Sequence, residues 1–410
     1  MIWRARRSGP SGIDRVELAY AQHFLAEGAP RPAYAVVHLL GFLLGVNPTA
    51  ARRFVEAAAT RWKGGVRGAE SGHAFGLLAL YSKLFMGGWM AGFQLRRRLR
   101  RHQGPPIFMV VSHYHLSDET RIRRIQRDFG ARFVCFLHDL IPIDYPEYVQ
   151  TGKERQHRRV TETIVRCFDA MIVNSHATAD SFRRFAASMS PASARAPSIH
   201  VAPLGACAFP CTEAESKLPQ KPDSVPYFVV LGTIEPKKNH LLLLNLWARL
   251  AETFPKPPRL LIIGARGWEN EQAVDMLERS RRLRGLVEEH NHLDDAAIGA
   301  LLAGARALLV PSFVEGFGLP LAEGLASAVP VICSDIPAFR EVGREVPDYL
   351  DPLDLFAWRD AVVDYARADC ARRRAQNARH AGWRAPLWSE HFEIVERALG
   401  EVSELSGAPQ

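Results

Sequence analysis

Short apolar runs rich in Val, Ile, Leu and Phe punctuate the chain, each closing on a polar residue or glycine and each followed by a stretch of helical character. Such runs are the signature of strands buried on both faces, and their alternation with helices predicts parallel sheets wound with helices. In the first half, strands are expected near 107–112 (IFMVVS), 132–137 (RFVCFL), 169–174 (DAMIVN) and 199–202 (IHVA). The second half repeats the theme near 227–231 (YFVVL), 259–263 (RLLII), 286–290, 307–310 (ALLV) and 329–333 (VPVIC). Between the two series, Gly205 to Pro226 is rich in Pro, Ser and charge and carries neither apolar period, which marks a linker between two α/β lobes.

Two apolar stretches belong to neither series. Residues 36–46 (VVHLLGFLLGV) are too short to span a bilayer. Residues 74–95 are nearly long enough, but Lys83 sits mid-span and three glycines weaken a helix there. Arg96, Arg97, Arg98, Arg100 and Arg101 follow directly. An aromatic apolar segment abutting a polybasic run suits docking on an anionic inner-leaflet surface, and it equally suits an internal helix pair with a solvated arginine face. Both readings stay open at this stage.

Composition narrows the setting. With 410 residues, 47% of them hydrophobic and 23% charged, the chain needs two cores. Its six cysteines are scattered without a C-x-x-C pair, and no apolar signal region follows the N-terminus, so a cytoplasmic protein, peripheral on the inner face of the membrane, is expected. The net charge of +8 admits nucleic acid, anionic lipid or phosphorylated small molecules. The basic residues fall in short clusters without a zinc-finger, RRM or KH signature, so nucleic acid is not an expected partner.

The chemistry concentrates in Leu309–Ala328 (LVPSFVEGFGLPLAEGLASA). A strand ends near Val310, a loop carries Glu315, Gly316, Phe317 and Gly318, and Pro320 opens a helix, where its missing N–H costs nothing. The two glycines let backbone approach a ligand, and the helix start offers N–H groups and a dipole to a diphosphate. Glu323, expected in the first helical turn and kept ionised by the dipole, is suited to accept both hydroxyls of a ribose. A duller reading is available, since Ser312-x-x-Glu315 also matches a capping box. At the start of the second lobe, LGTIEPKKNH sets Gly232 at a strand end with Lys237 and Lys238 at the next helix opening. That is the crevice where Rossmann-like lobes bind nucleotides, and Lys238 supplies a point charge for phosphate.

Taken together, Gly232 with Lys238, and Glu315 with Glu323, resemble the retaining glycosyltransferases of family 4, the group 1 transferases of GT-B fold. The likeness runs through SGIDRVELAYAQHFL (11–25), FLHDLIPIDYPEY (136–148), VNSHATA (173–179), GTIEPKKNH (232–240), GARGWENE (264–271), 290–326 and SDIPAFREVG (334–343). HDLIPI and GTIEPKKNH are similar to the mannosyltransferase-like branch of bacterial surface-polysaccharide synthesis. The resemblance implies an α/β fold of two Rossmann-like domains facing a cleft. An acceptor domain would span 1–205, a linker 206–226, a donor domain 227–385, and a C-terminal helix in 386–410 would return to the first domain.

It also implies roles. Glu323 binds the donor's ribose, Glu315 with the amides of Gly316, Phe317, Gly318 and Leu319 holds the donor sugar, and Lys238 neutralises the departing diphosphate. His138 faces the sugar across the cleft, against a plain reading as a satisfied histidine at a sheet edge. Asp139 either orients that ring or caps Ile141. Gly12, Ile13, Asp14 and Arg15 lie on the acceptor side. Two departures stand out: Thr233 occupies a position where the family commonly has Arg, leaving Lys237 as second cation, and the family's opening strand has no counterpart before Gly12, as though the start lay upstream.

No metal or cofactor is expected. His113, His115, His138 and Asp118 lack ligand spacing, and Asp294-Asp295 reads as a helix N-cap. The expected reaction moves a sugar, GDP-mannose favoured and a UDP-sugar next, to a glycan or lipid-linked acceptor, with front-face attack. An epimerase or phosphorylase on the same scaffold and a non-catalytic nucleotide-sugar-binding component are the rivals. A dinucleotide-dependent dehydrogenase is disfavoured, because neither lobe shows G-x-G-x-x-G after its first strand.

Overall fold

The computed structural model describes residues 11–39, 42–62, 95, 97, 99, 104–112, 116–189, 196–210, 225–291 and 293–405. The chain forms two parallel sheets, each with helices between its strands. A hairpin of β1 (Val36–Leu39) and β2 (Phe42–Gly45) accounts for the short apolar stretch at 36–46, with Val36 opposite Gly45. The first sheet holds β3 (Ile107–Val110), β4 (Arg132–Leu137), β5 (Ala170–Val173) and β6 (Ser198–Val201), in that order and all parallel. Every residue of β4 and β5 is buried, as continuous apolar runs require. Val134 and Phe136 face one layer with Tyr20 and Phe392, while Phe133, Cys135 and Leu137 face the other with Ile164 and Phe182.

The second sheet contains β7 (Tyr227–Leu231), β8 (Arg259–Ile263), β9 (Val287–His290), β10 (Leu308–Val310), β11 (Val331–Ser334) and β12 (Asp348–Leu350). Its order is β12-β11-β10-β7-β8-β9, all parallel, so winding reverses between β7 and β10. Ligands of doubly wound sheets bind outside the strand ends at that switch point. The segments leaving β7 and β10 carry Gly232 and Glu315, which places the expected donor residues there. The sequence pattern found every strand but β1, β2 and β12, with ends shifted by a residue or two at most of the others. At three residues and only half-buried, β12 is too short to print a period.

A helix over Trp388–Glu404 crosses back and packs on β3 to β6. His391 anchors it: Nδ1 donates to the Ala202 carbonyl at 3.0 Å, and Nε2 accepts from the Tyr20 hydroxyl at 2.9 Å. This pattern needs a neutral ring, and burial pushes its pKa down to about 4. Gly205 sits at the crossing, where a Cβ would fall 2.4 Å from the Trp388 ring. Among the described residues no helix is long and apolar enough to cross a membrane. Of the 74–101 stretch only 95, 97 and 99 are described, with Leu95 buried and Arg97 exposed; the membrane-or-core question for the rest, and the linker over 211–224, lie outside the described residues.

Candidate active site

The turn after β7 brings the lysines to the switch point. Gly232 takes φ 134°, a 3-10 turn covers Pro236–Lys238, and Asn239 enters the left-handed region at φ 55° before the His240–Thr253 helix. The lysines thus stand ahead of the helix rather than in its first turn, which lessens their conflict with its dipole. Lys238 folds back over Gly232, where a Cβ would lie 3.4 Å from its Cε. Its Nζ reaches Glu315 Oε1 at 2.5 Å, while Lys237 Nζ lies 3.4 Å from Oε2 and 3.6 Å from Glu235.

Ser312 opens no helix at Glu315, contrary to the capping-box reading; its hydroxyl donates to Glu315 Oε1 at 3.0 Å. Burial pushes the Glu315 carboxyl up, but Lys237 and Lys238, with the hydrogen bonds from Lys238 and Ser312, together bring it down to about 2. Burial likewise opposes the charge on Lys237, and Glu315, Glu235 and Asp139 outweigh it. Thr233 turns away from this cluster and packs against Gly267.

The loop then reaches Gly318, at φ 96° and pressed against Phe339, where a Cβ would come within 2.6 Å of the ring. Gly318 caps the Leu319–Ala326 helix, whose first internal bond runs from Ala322 N to Gly318 O, so the amides before Ala322 precede the helical ladder. The Phe317 side chain is buried in the core and anchors the loop. Glu323 corrects two expectations. It lies beyond the first turn, and burial, reinforced by Asp295 and opposed by Arg15, pushes its carboxyl up to about 7 instead of the dipole holding it ionised. Among the described residues no hydrogen bond reaches that carboxylate; Arg15 Nε lies 3.9 Å away.

The first lobe closes on this loop. His138, just past β4, is buried, and its Nε2 donates to the Val111 carbonyl at 2.9 Å. Its own carbonyl receives Asn174 Nδ2 at 2.9 Å and faces Gly316, where a Cβ would lie 2.5 Å from that oxygen. Asp139 accepts the Ile141 amide at 3.1 Å, the capping role that the sequence allowed. Ser175 Oγ donates to Gly316 O at 2.6 Å, and Tyr148 stacks on Phe313 at 4.9 Å. Gly12 abuts Leu319 and Ile13 is exposed. Asp14, expected to face an acceptor, accepts Ser11 N at 2.9 Å and Ser11 Oγ at 2.6 Å and so completes the cap of its own helix. Arg15, expected on the acceptor side, forks onto Asp295 of the second lobe at 2.7 and 3.2 Å. Asp294 caps the next helix through Ala297 N at 2.8 Å, as its spacing suggested. His113 and His115 lie outside the described residues.

Residues 212–345 match the family model of the group 1 glycosyl transferases. That match covers about a third of the chain and falls on the linker and most of the second lobe. O-antigen chain mannosyltransferase B of Escherichia coli is 37% identical over 150 residues, which is 36% of this chain and 39% of that protein. Serotype-specific mannosyltransferase WbdA of Escherichia coli is 29% identical over 291 residues, 66% of this chain and 35% of that protein. The matches therefore span well under half the length of these relatives. HepE of Anabaena, solved in complex with UDP, superposes with a TM-score of 0.58 at 15% identity, covering 80% of this chain and 89% of that one. That likeness concerns the fold, which is GT-B.

Around the Glu315–Gly318 loop, several contacts went unassigned by sequence reasoning. Asn174, Ser175 and Thr178 of the first lobe converge on His138 O and Gly316 O, and the motif VNSHATA that holds them was visible as a resemblance without a role. Asp295, Glu341, Thr151 and Glu269 also bridge the lobes, and as single polar residues they carried no signal.

Proposed function

We propose that the protein transfers a sugar from a nucleoside diphosphate, GDP-mannose before any UDP-sugar, to a hydroxyl of a glycan or lipid-linked oligosaccharide, retaining the anomeric configuration. The observation that supports it most is Glu323: a mostly buried carboxylate, without a hydrogen-bond donor among the described residues, on the helix whose start adjoins the Lys238–Glu315 pair. A ribose supplies the two hydroxyls such a group lacks. The diphosphate then lies toward Lys238 and the amides ahead of Ala322, where charge develops as the bond to the sugar breaks. Glu315, released in part by Lys238, is left to orient sugar hydroxyls. The names of the two mannosyltransferase relatives favour mannose, and HepE's UDP keeps uridine second. Neither metal nor other cofactor enters this scheme, and docking at the inner leaflet suits a lipid-linked acceptor.

Thermal-shift titration with GDP, UDP, GDP-mannose and UDP-sugars, repeated on Glu323→Ala, tests the reading. One nucleotide family raises the melting temperature of the wild type and not of the variant; no shift with any of them sinks the proposal. Product analysis with acceptor omitted separates transfer from epimerisation.

A further inference from the structure

We propose that Arg15 is a positioning residue of the donor site: a first-lobe cation, held by Asp295, that faces Glu323 and makes closure of the lobes and capture of the donor's ribose a single event. This rests on the donor reading of Glu323 given above.

Arg15 lies in the first turn of the Gly12–Leu25 helix, where a cation opposes the helix dipole. Compensation comes from the other lobe. The helix start is fixed by the Ser11–Asp14 capping box and by Gly12 against Leu319, so the direction of Arg15 is set before it meets a partner. Its two terminal nitrogens are taken by Asp295, at 3.2 and 2.7 Å, and Asp295 is itself placed by the Asp294 cap. With the fork occupied, the Nε edge turns to Glu323 at 3.9 Å. That distance gives a charge contact and no hydrogen bond, leaving the carboxylate oxygens for hydroxyls.

The groups facing Glu323 act in opposite senses. Burial and Asp295 favour its protonated form, and Arg15 favours the ionised one. Cys207 acts on Arg15 only weakly, through charge. A protonated carboxyl has lost one of its acceptor roles toward a diol, so withdrawing Arg15 as the lobes part weakens the hold on ribose, and a bound ribose favours the closed form in return.

Binding of GDP and UDP to the full chain, measured by calorimetry on wild type, Arg15→Gln and Arg15→Lys with the 2′,3′-dideoxynucleotides as controls, decides the matter. Arg15→Gln is expected to weaken the ribonucleotide roughly tenfold near neutral pH and by less than about twofold two pH units higher, where Glu323 ionises unaided. Arg15→Lys keeps the charge and the wild-type pH profile while losing the fork. The dideoxynucleotides respond to neither change. A deficit that is constant with pH, or equal for the dideoxy compounds, overturns the proposal and leaves Arg15 a structural tie. If Arg15→Gln does not fold, the Arg15→Lys profile alone decides, and a shifted profile overturns it. Wild type that binds no nucleotide fails the donor reading instead, a distinct result.

Discussion

Glu341, in the second lobe, accepts the backbone N–H groups of both His176 and Ala177, in the first, at 2.7 Å each. One lobe thereby caps a helix of the other, while Ser175 supplies the remaining cap bond to Thr178 N at 3.0 Å. Such a contact is available only when the cleft is closed, and it joins Ser175–Gly316 and Thr151–Glu269 in doing so. Glu341→Ala is expected to cost roughly 1 kcal/mol, the lower range for an exposed charged cap. Thermal unfolding measures this, and the stabilisation by a nucleotide should shrink along with it.

Gly316→Ala tests closure directly. The added Cβ meets His138 O at 2.5 Å and Asp139 Cβ at 3.0 Å, both fixed on the first lobe. The lobes must part by more than half an ångström to reach ordinary contact, so turnover is expected to fall at least tenfold while each core stays folded, because misplacement approaching about 1 Å is costly to a positioned reaction. Solution scattering and circular dichroism together read the outcome; unchanged turnover would mean that the loop yields instead.

Glu323 predicts a pH dependence. Its folded-state carboxyl titrates near 7, above its ordinary 4.5. The folded chain then binds the proton more tightly, so this group's contribution lowers stability as pH rises from its unfolded value through its folded one. Glu323→Gln removes that slope. The ligand-free variant is expected to gain up to about 3 kcal/mol over wild type above pH 7 and nothing near pH 4, measured by urea unfolding at both.

Glu315 has the opposite sign. Held at about 2 by Lys237 and Lys238 against its own burial, it stabilises the fold above its ordinary range and loses that contribution as pH falls through its folded value. Lys238→Ala removes its 2.5 Å partner together with the expected diphosphate contact. Turnover is expected to drop by roughly a hundredfold, the scale for one lost electrostatic donor, and steady-state kinetics with the confirmed donor checks it.

The strand pattern was legible because parallel strands buried on both faces write continuous apolar runs, as in Arg132–Leu137 and Arg259–Ile263. The loop before the Leu319–Ala326 helix was legible because Gly318 and Pro320 answer backbone demands that few residues meet. Charge states were not. The dipole argument for Glu323 used its own helix, whereas Arg15 and Asp295 lie hundreds and tens of positions away and burial outweighs both. Asp14, singled out by motif, also completes its local cap, a role that a Ser three residues earlier does announce.

The return of the Trp388–Glu404 helix makes the second lobe an insert within the first. Its entry and exit run side by side, with Ala206 N bonded to Pro386 O at 2.9 Å. Two strands of backbone therefore form the hinge, which restrains twisting more than a single tether would. Dissection follows the same logic: residues up to 205 expressed by themselves would leave Tyr20, Phe136 and Ala202 uncovered where His391 and Phe392 belong.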